Sequence, residues 1–313
     1  MNTNSRKQDA RSQVKTEGSG LNNPQGFDLY QQITDQILEA MDQAQGQGRR
    51  LWDAQPSLPL NLATGKPYTG MNTLILWGAA LSRGYQSPYW LTYKQATEKG
   101  GQVRKGEHGT RAVFFKPYES RDTDPDTGEE TTTDRLIMKS FTVFNLDQID
   151  GITAPAMEAR PAFEVMADAE RLLQRTPAPI REGGPSACYI PSRDEIHMPA
   201  RETFVNPEAF YSVAYHEATH ATGHQSRLAR QFSTRFGDEA YAMEELVAEL
   251  GAAFLCAEVG ILPQTRADHA DYLAHWVRVL RSDRKAVFTA AAAASKAATF
   301  IKGHNAEART EAA

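Results

Sequence analysis

Residues 216–220 read His-Glu-Ala-Thr-His, an HExxH pentapeptide. On a helix, residues four apart share a face, so both imidazoles can reach one cation while Glu217 sits beside it. The preceding FYSVAY is apolar and marks a core helix, against the alternative of a surface helix carrying two solvated histidines. The chemistry of such a set is hydrolysis at Zn²⁺, with His216 and His220 as ligands and Glu217 as general base.

Catalytic zinc needs a third protein ligand and an open position for water. In the pattern HExxHxxGxxH, Gly223 falls at its place, but the last position is Ser226, so an all-histidine set fails. His224 extends the same face but would lie too far along a straight helix; it reads as a histidine at the helix C-terminus, near the negative end of the dipole. The alternative is a carboxylate from the next helix, YAMEELVAELGAAFL. There Glu245 and Glu249 are four apart, with Ala248 and Ala252 beside them to let two helices approach closely. Glu245 is read as the ligand, and Glu249 as acceptor for the remaining N–H of a ligand histidine. Glu244 competes for the ligand role; Glu245 is preferred because it has the i+4 partner.

These residues must be carried by helices. The apolar period places helices over 162–174, 207–224, 239–259, 267–280 and 284–301, the last around a five-alanine run of high intrinsic propensity. Segments 187–190 and 195–198 flank a PSRD turn and read as a short hairpin. Upstream, helices are expected over 27–44 and 72–82, and a third from a Ser87 cap, with Pro88 at its first position, to Gly100-Gly101. Two β-like runs, 110–116 and 136–144, are joined by the acidic RDTDPDTGEE. The chain of 313 residues suits about two domains. The expected division is a disordered arm (1–26), a first domain (27–151), a linker (152–161), a second domain (162–302) and a flexible tail (303–313). Both domains are α+β.

Net charge is −5, but residues 49–116 hold ten Lys and Arg against three Asp and Glu, whereas 119–134 hold seven acids and one arginine. The basic stretch is interleaved with aromatics from Trp52 to Phe115. Bases of single strands stack on aromatic rings while Lys and Arg follow the phosphates. Lys66, Tyr68, Tyr89, Lys94, Arg104, Lys105 and Arg111 are therefore candidates for DNA contact, the glycines of GGQVRKGEHGTR permitting close approach. Trp77 and Trp90 read as core. The two cysteines, Cys188 and Cys256, have no metal or redox spacing, no apolar run reaches 18 residues and no secretory signal is visible, so a cytoplasmic location is expected.

HEATH followed by EELVAELGAAFL resembles the gluzincin-type zinc metallopeptidases, and more closely the zincin-like domain of the ArdC-type antirestriction proteins of conjugative plasmids. NLATGKPYTGMNTLILW, GYQSPYWLTYKQATEKGGQVRKGEHGT and FTVFNLDQIDG resemble the N-terminal domain of the same proteins, shared with TraC-type primases. The resemblance spans residues 27–301. It implies a single-stranded-DNA-binding domain followed by a zincin-like metallopeptidase domain, together protecting incoming plasmid DNA from host restriction. It also implies Zn²⁺, a protein or peptide substrate that includes restriction machinery among its candidates, and a sheet edge at the hairpin CYIPSRDEIHM on which an extended peptide would lie. Two alternatives stand beside this: a protease dependent on single-stranded DNA that acts on DNA-bound proteins, and a DNA-coating module whose zinc is not catalytic. Tyr241, Tyr215 and His224 are open as oxyanion donors. No membrane partner is expected.

Overall fold

The computed structural model describes residues 28–46, 50–53, 57–123, 130–155, 161–263 and 270–304. The expected arm, most of the linker and tail, and the hairpin tip lie outside these residues.

The first part contains α1 (Leu29–Gly46), β1 (Leu60–Asn61), α2 (Met71–Arg83), β2 (Tyr89–Leu91), α3 (Tyr93–Glu98) and β3 (Gln102–Val103). The long hairpin of β4 (Thr110–Thr123) and β5 (Glu130–Asn145) follows, then β6 (Ile149–Asp150). The second part contains α4 (Ala162–Leu173), β7 (Ile180–Glu182), β8 (Cys188–Ile190), β9 (Glu195–Met198), α5 (Pro207–Thr222), α6 (Ser233–Phe236), α7 (Ala240–Val259), α8 (Ala270–Ser282) and α9 (Ala286–Gly303). The fold is α+β in two domains, with one sheet ordered β1-β2-β5-β4, a β3-β6 pair, and a second sheet ordered β7-β9-β8. Among the described residues strand β8 pairs, antiparallel, with β9 alone and so lies at an edge.

One expected element is replaced. Residues 87–101 do not form a single helix: Tyr89–Leu91 is a strand in register with β5 (Trp90 opposite Asn145), and the helix begins only at Tyr93. Thr92 caps it, accepting from the Gln95 N–H at 3.2 Å while Gln95 Oε1 accepts from the Thr92 N–H at 2.9 Å. That reciprocal capping box, with β pairing on its N-terminal side, outweighs the Ser87-Pro88 start signal.

The two parts share one apolar core. Trp77 of α2 packs on Phe254 of α7, and Trp52 on Trp276 of α8, each with ring centroids 5.9 Å apart. Helix α7 is buried on nearly every side and α5 along almost its whole length. The alanine run of α9 is a packing surface as well as a helix-forming sequence, since Ala290, Ala291 and Ala294 of the run are buried, as are Ala297 and Ala298 one turn on. The close approach of α5 and α7 rests on Gly251 more than on the neighbouring alanines. A Cβ there would lie 2.5 Å from Thr219 Cγ2, so only hydrogen fits.

Candidate metal centre

Helix α5 starts at Pro207, its N-cap Asn206 accepting from the Ala209 N–H at 2.8 Å, and carries the HExxH residues inward. The two histidines are brought together at their Nε2 atoms, 3.1 Å apart. Glu245, one turn into the facing helix α7, closes the triangle: one carboxylate oxygen is 3.4 Å from His216 Nε2, the other 3.5 Å from His220 Nε2. Among the described residues these three form the cluster suited to a metal ion. Ligand atoms held about 2.0–2.1 Å from a tetrahedral Zn²⁺ stand about 3.3 Å from one another. Separations of 3.1–3.5 Å between the donors are of that size, and all three residues line one cavity.

Each of the two histidines also meets a carboxylate at its other nitrogen. His216 Nδ1 is 3.2 Å from Glu249, and Glu249 in turn receives the Arg50 guanidinium in a buried ion pair. His220 Nδ1 is 3.2 Å from Glu244, which accepts from Arg230 Nη2 at 2.6 Å and Nε at 3.1 Å. The residue weighed as a rival ligand is thus the orienting partner of His220, and the adjacent pair Glu244-Glu245 serves two different atoms of one histidine. Arg50 and Arg230 were not singled out from sequence. Arg230 returns to α5 through a turn in which Ala229 adopts a left-handed φ of 46°, and it also donates to the Thr219 carbonyl at 2.7 Å. Gly223 makes room for it, since a Cβ there would lie 2.8 Å from the guanidinium.

The electrostatics favour a cation. Burial works against a charge on His216, yet hydrogen bonds to Glu245 and Glu249 and the charges of Glu249 and Glu217 outweigh it, pushing its pKa up to about 10. Burial raises the carboxyls of Glu244 and Glu245, but the histidines, with Arg230 at Glu244, hold both below the usual range. Four carboxylates, Glu217, Glu244, Glu245 and Glu249, around two imidazoles form a site that positive charge stabilises.

A cavity of about 720 Å³ opens onto the three donors and is lined by Glu217, β8 residues Cys188 and Tyr189, His224 and Tyr241. The Tyr189 N–H donates to Glu217 Oε2 at 2.8 Å, so the motif's glutamate lies directly beside the sheet edge. Of the oxyanion candidates, Tyr215 is removed: its hydroxyl is buried and donates to the Ala169 carbonyl at 2.8 Å. His224 lies past the end of α5, as read, with Nδ1 2.7 Å from Ser226 Oγ. Tyr241 lines the cavity and hydrogen-bonds to Glu245.

The DNA-contact candidates lie on several elements. Lys66, Lys94 and Lys105 are exposed. The Arg104 guanidinium is engaged by Glu107 at 2.9 Å, the Asp147 carbonyl at 2.5 Å and Asp150 at 3.4 Å. Arg111 donates to Gln32 at 2.5 Å and lines a separate cavity of about 330 Å³ between α1, α2 and the hairpin base. Tyr68 and Tyr89 are half-buried, Tyr68 accepting from Asn61 at 3.1 Å and Tyr89 packing on Leu91, Ala96, Val103, Leu146 and Ile149. Trp77 and Trp90 are in the core, as expected.

Residues 27–144 match the family profile of the N-terminal domain of anti-restriction factor ArdC, and residues 167–293 that of a zincin-like metallopeptidase. The metal-free crystal structure of the antirestriction ArdC protein from the R388 plasmid is 40% identical and superposes with a TM-score of 0.72, covering 88% of this chain and 97% of that one. The chain belongs to the ArdC antirestriction family. The Mn(II)-bound structure of R388 ArdC gives a TM-score of 0.70 at 39% identity, covering the same shares of the two chains. The uncharacterized protein y4eC of Sinorhizobium fredii (strain NBRC 101917 / NGR234) is 40% identical over 288 residues, 90% of this chain and 94% of its own. The Escherichia coli DNA primase TraC is 35% identical over 290 residues, but this ArdC-family chain, 87% of which aligns, spans only 27% of TraC. Among the described residues no helix is long and apolar enough to cross a membrane.

Proposed function

We propose that this ArdC-family protein is a cytoplasmic zinc metallopeptidase that also binds single-stranded DNA and protects incoming plasmid DNA from host restriction. The division into a DNA-binding unit over 27–151 and a peptidase unit over 162–302 is part of that reading. The observation that carries it is the convergence of His216, His220 and Glu245 beside Glu217 at the mouth of a cavity bordered by an edge strand. The Mn(II)-bound form of R388 ArdC supports a divalent cation in this family.

His216, His220 and Glu245 would hold the ion, with Glu249 and Glu244 fixing the histidine rings. When bound, the ion supplies Lewis-acid polarisation of water and of a scissile carbonyl. Glu217, with Oε2 held by the Tyr189 N–H, offers its other oxygen to take a proton from water and deliver it to the leaving amine. The free edge of β8 would align an extended peptide by strand addition, and Tyr241 or His224 would donate to the oxyanion. The DNA-binding unit would bring the peptidase to its target on an entering strand.

The test is metal analysis of the purified protein paired with hydrolysis of casein, with and without single-stranded DNA. Stoichiometric zinc and chelator-sensitive cleavage support the reading. Cleavage only in the presence of DNA moves it to a DNA-dependent protease, and bound zinc without any cleavage moves it to a coating module.

A further inference from the structure

We infer that one face of the β4–β5 hairpin is the surface on which single-stranded DNA lies. This rests on the reading that the chain binds single strands, and locates the contact where the sequence did not place it.

Directly paired residues of an antiparallel ribbon share a face, and alternate pairs share the same one. The register pairs Phe114 with Lys139, Lys116 with Ile137, and Tyr118 with Arg135. These six side chains therefore occupy one face, and all six are exposed, Phe114 to 44% and Tyr118 to 42%. Each aromatic ring stands opposite a cation on the neighbouring strand. From Thr110 to Tyr118 and from Arg135 to Val143 this face carries no acidic residue. The nearby carboxylates, Glu119 and Asp134, pair with each other on the opposite face. Val113 and Met138 are the last residues of the ribbon that pack on the core; beyond them the described side chains at 114–119 and 132–137 are exposed.

A polyanion is the complement of three cations on this acid-free stretch of the face, and exposed rings between them are the complement of unstacked bases. Duplex DNA offers the same phosphates but no free base faces. Of the residues singled out from sequence, Arg111 is on the hairpin but at its base and on the opposite face, where it donates to Gln32; the others lie on other elements, and Arg104 among them is engaged by protein acceptors.

The experiment uses the full-length protein and a fluorescent oligo(dT), with anisotropy measured over a range of salt. Lys116→Gln/Arg135→Gln/Lys139→Gln should weaken binding at least tenfold at low salt and reduce the slope of log K against log salt by about 2, at about 0.7 per phosphate contact on a single strand. Phe114→Ala/Tyr118→Ala should weaken binding with the slope unchanged. Melting temperature and metal content should stay near wild type in both, since every altered side chain is exposed. If wild type binds oligo(dT) and the triple variant keeps its affinity within twofold, the location is overturned while the DNA reading stands. If wild type fails to bind oligo(dT) even at low salt, both fall. Equal affinity for a duplex of the same length would overturn the stacking role.

Discussion

Arg50 and Glu249 form a buried ion pair between residues 199 positions apart, and the same Glu249 carboxylate stands 3.2 Å from His216 Nδ1. A residue of the N-terminal part thereby fixes the ring of a metal-ligand candidate in the C-terminal part. Arg50→Met should leave Glu249 buried without its cation. The expected cost is about 3–5 kcal/mol in stability and about 10–100-fold in metal affinity, read by denaturant melts and competitive metal titration. A C-terminal fragment from residue 162 onward lacks Arg50 and Trp52 and should show the same weakness. Wild-type metal affinity in Arg50→Met would show that Glu249 orients His216 unaided.

The adjacent glutamates should separate cleanly. Glu245→Ala removes a ligand and should abolish stoichiometric metal binding, as should His216→Ala and His220→Ala. Glu244→Ala removes the partner of His220 Nδ1 and of the Arg230 guanidinium but none of the three donors, and should weaken binding by about 10–100-fold while one ion per chain still binds at saturation. The stoichiometry measured at saturating metal decides between the roles. Equal loss in both variants would contradict them.

Gly251→Ala is expected to force α5 and α7 apart, because the new methyl would stand 2.5 Å from Thr219 Cγ2. Overpacking of this kind costs about 1–3 kcal/mol. The triangle of His216, His220 and Glu245 spans these same two helices, so metal affinity should fall together with the melting temperature. A fall in melting temperature alone would show that the ligand geometry tolerates the shift.

Glu170 on α4 accepts from Arg201 and from the Tyr211 hydroxyl of α5, each at 2.8 Å. Burial acts to raise its carboxyl, but Arg201 and Tyr211 outweigh it and hold the pKa below the usual carboxylate range. A carboxyl with a lower pKa folded than unfolded adds stability above the unfolded value, about 4.3, which is lost as pH falls through the folded value. Glu170→Gln should therefore melt below wild type at pH 7, by a modest margin because the group is partly solvated. The gap should close as pH drops from about 4.5 toward 3. A gap constant across that range would assign the loss to shape and not to charge.

The parts legible in sequence were those encoded by short-range periodicity. His216, Glu217 and His220 lie within one helical turn, and Glu245 and Glu249 within another, so facing helices sufficed to bring them together. The place of Glu244 at His220 Nδ1 was not legible, because the i+4 rule decides which carboxylates share a face but not which nitrogen of a histidine each will meet. Arg50 was counted with a basic surface and is buried instead; nothing local distinguishes an arginine bound for a core carboxylate 199 residues away. The strand at Tyr89–Leu91 was hidden for the same reason. Its start signals favoured a helix, and it is pairing with β1 on one side and with β5, more than 50 residues later, on the other that makes it a strand.

Glu217→Gln tests the chemistry apart from the architecture. The substitution keeps nearly the same shape, and its amide oxygen can still accept from the Tyr189 N–H that now meets Glu217 Oε2 at 2.8 Å. Glu217 lies outside the donor triangle of His216, His220 and Glu245, so metal content should be unchanged. Melting temperature and affinity for oligo(dT) should also stay near wild type. The amide cannot take a proton from water, so peptide hydrolysis should fall by at least about 100-fold. The same variant, carried on a plasmid entering a restricting host, separates two ways of protecting DNA. Loss of protection would make proteolysis the mechanism; full protection would mean that binding of the strand is enough. The Arg50–Glu249 link ties the two parts together structurally, and partial loss is the expected result, with binding delivering the peptidase to a target on the entering strand. Undiminished hydrolysis by Glu217→Gln would remove this residue as the general base, whatever the outcome in the cell.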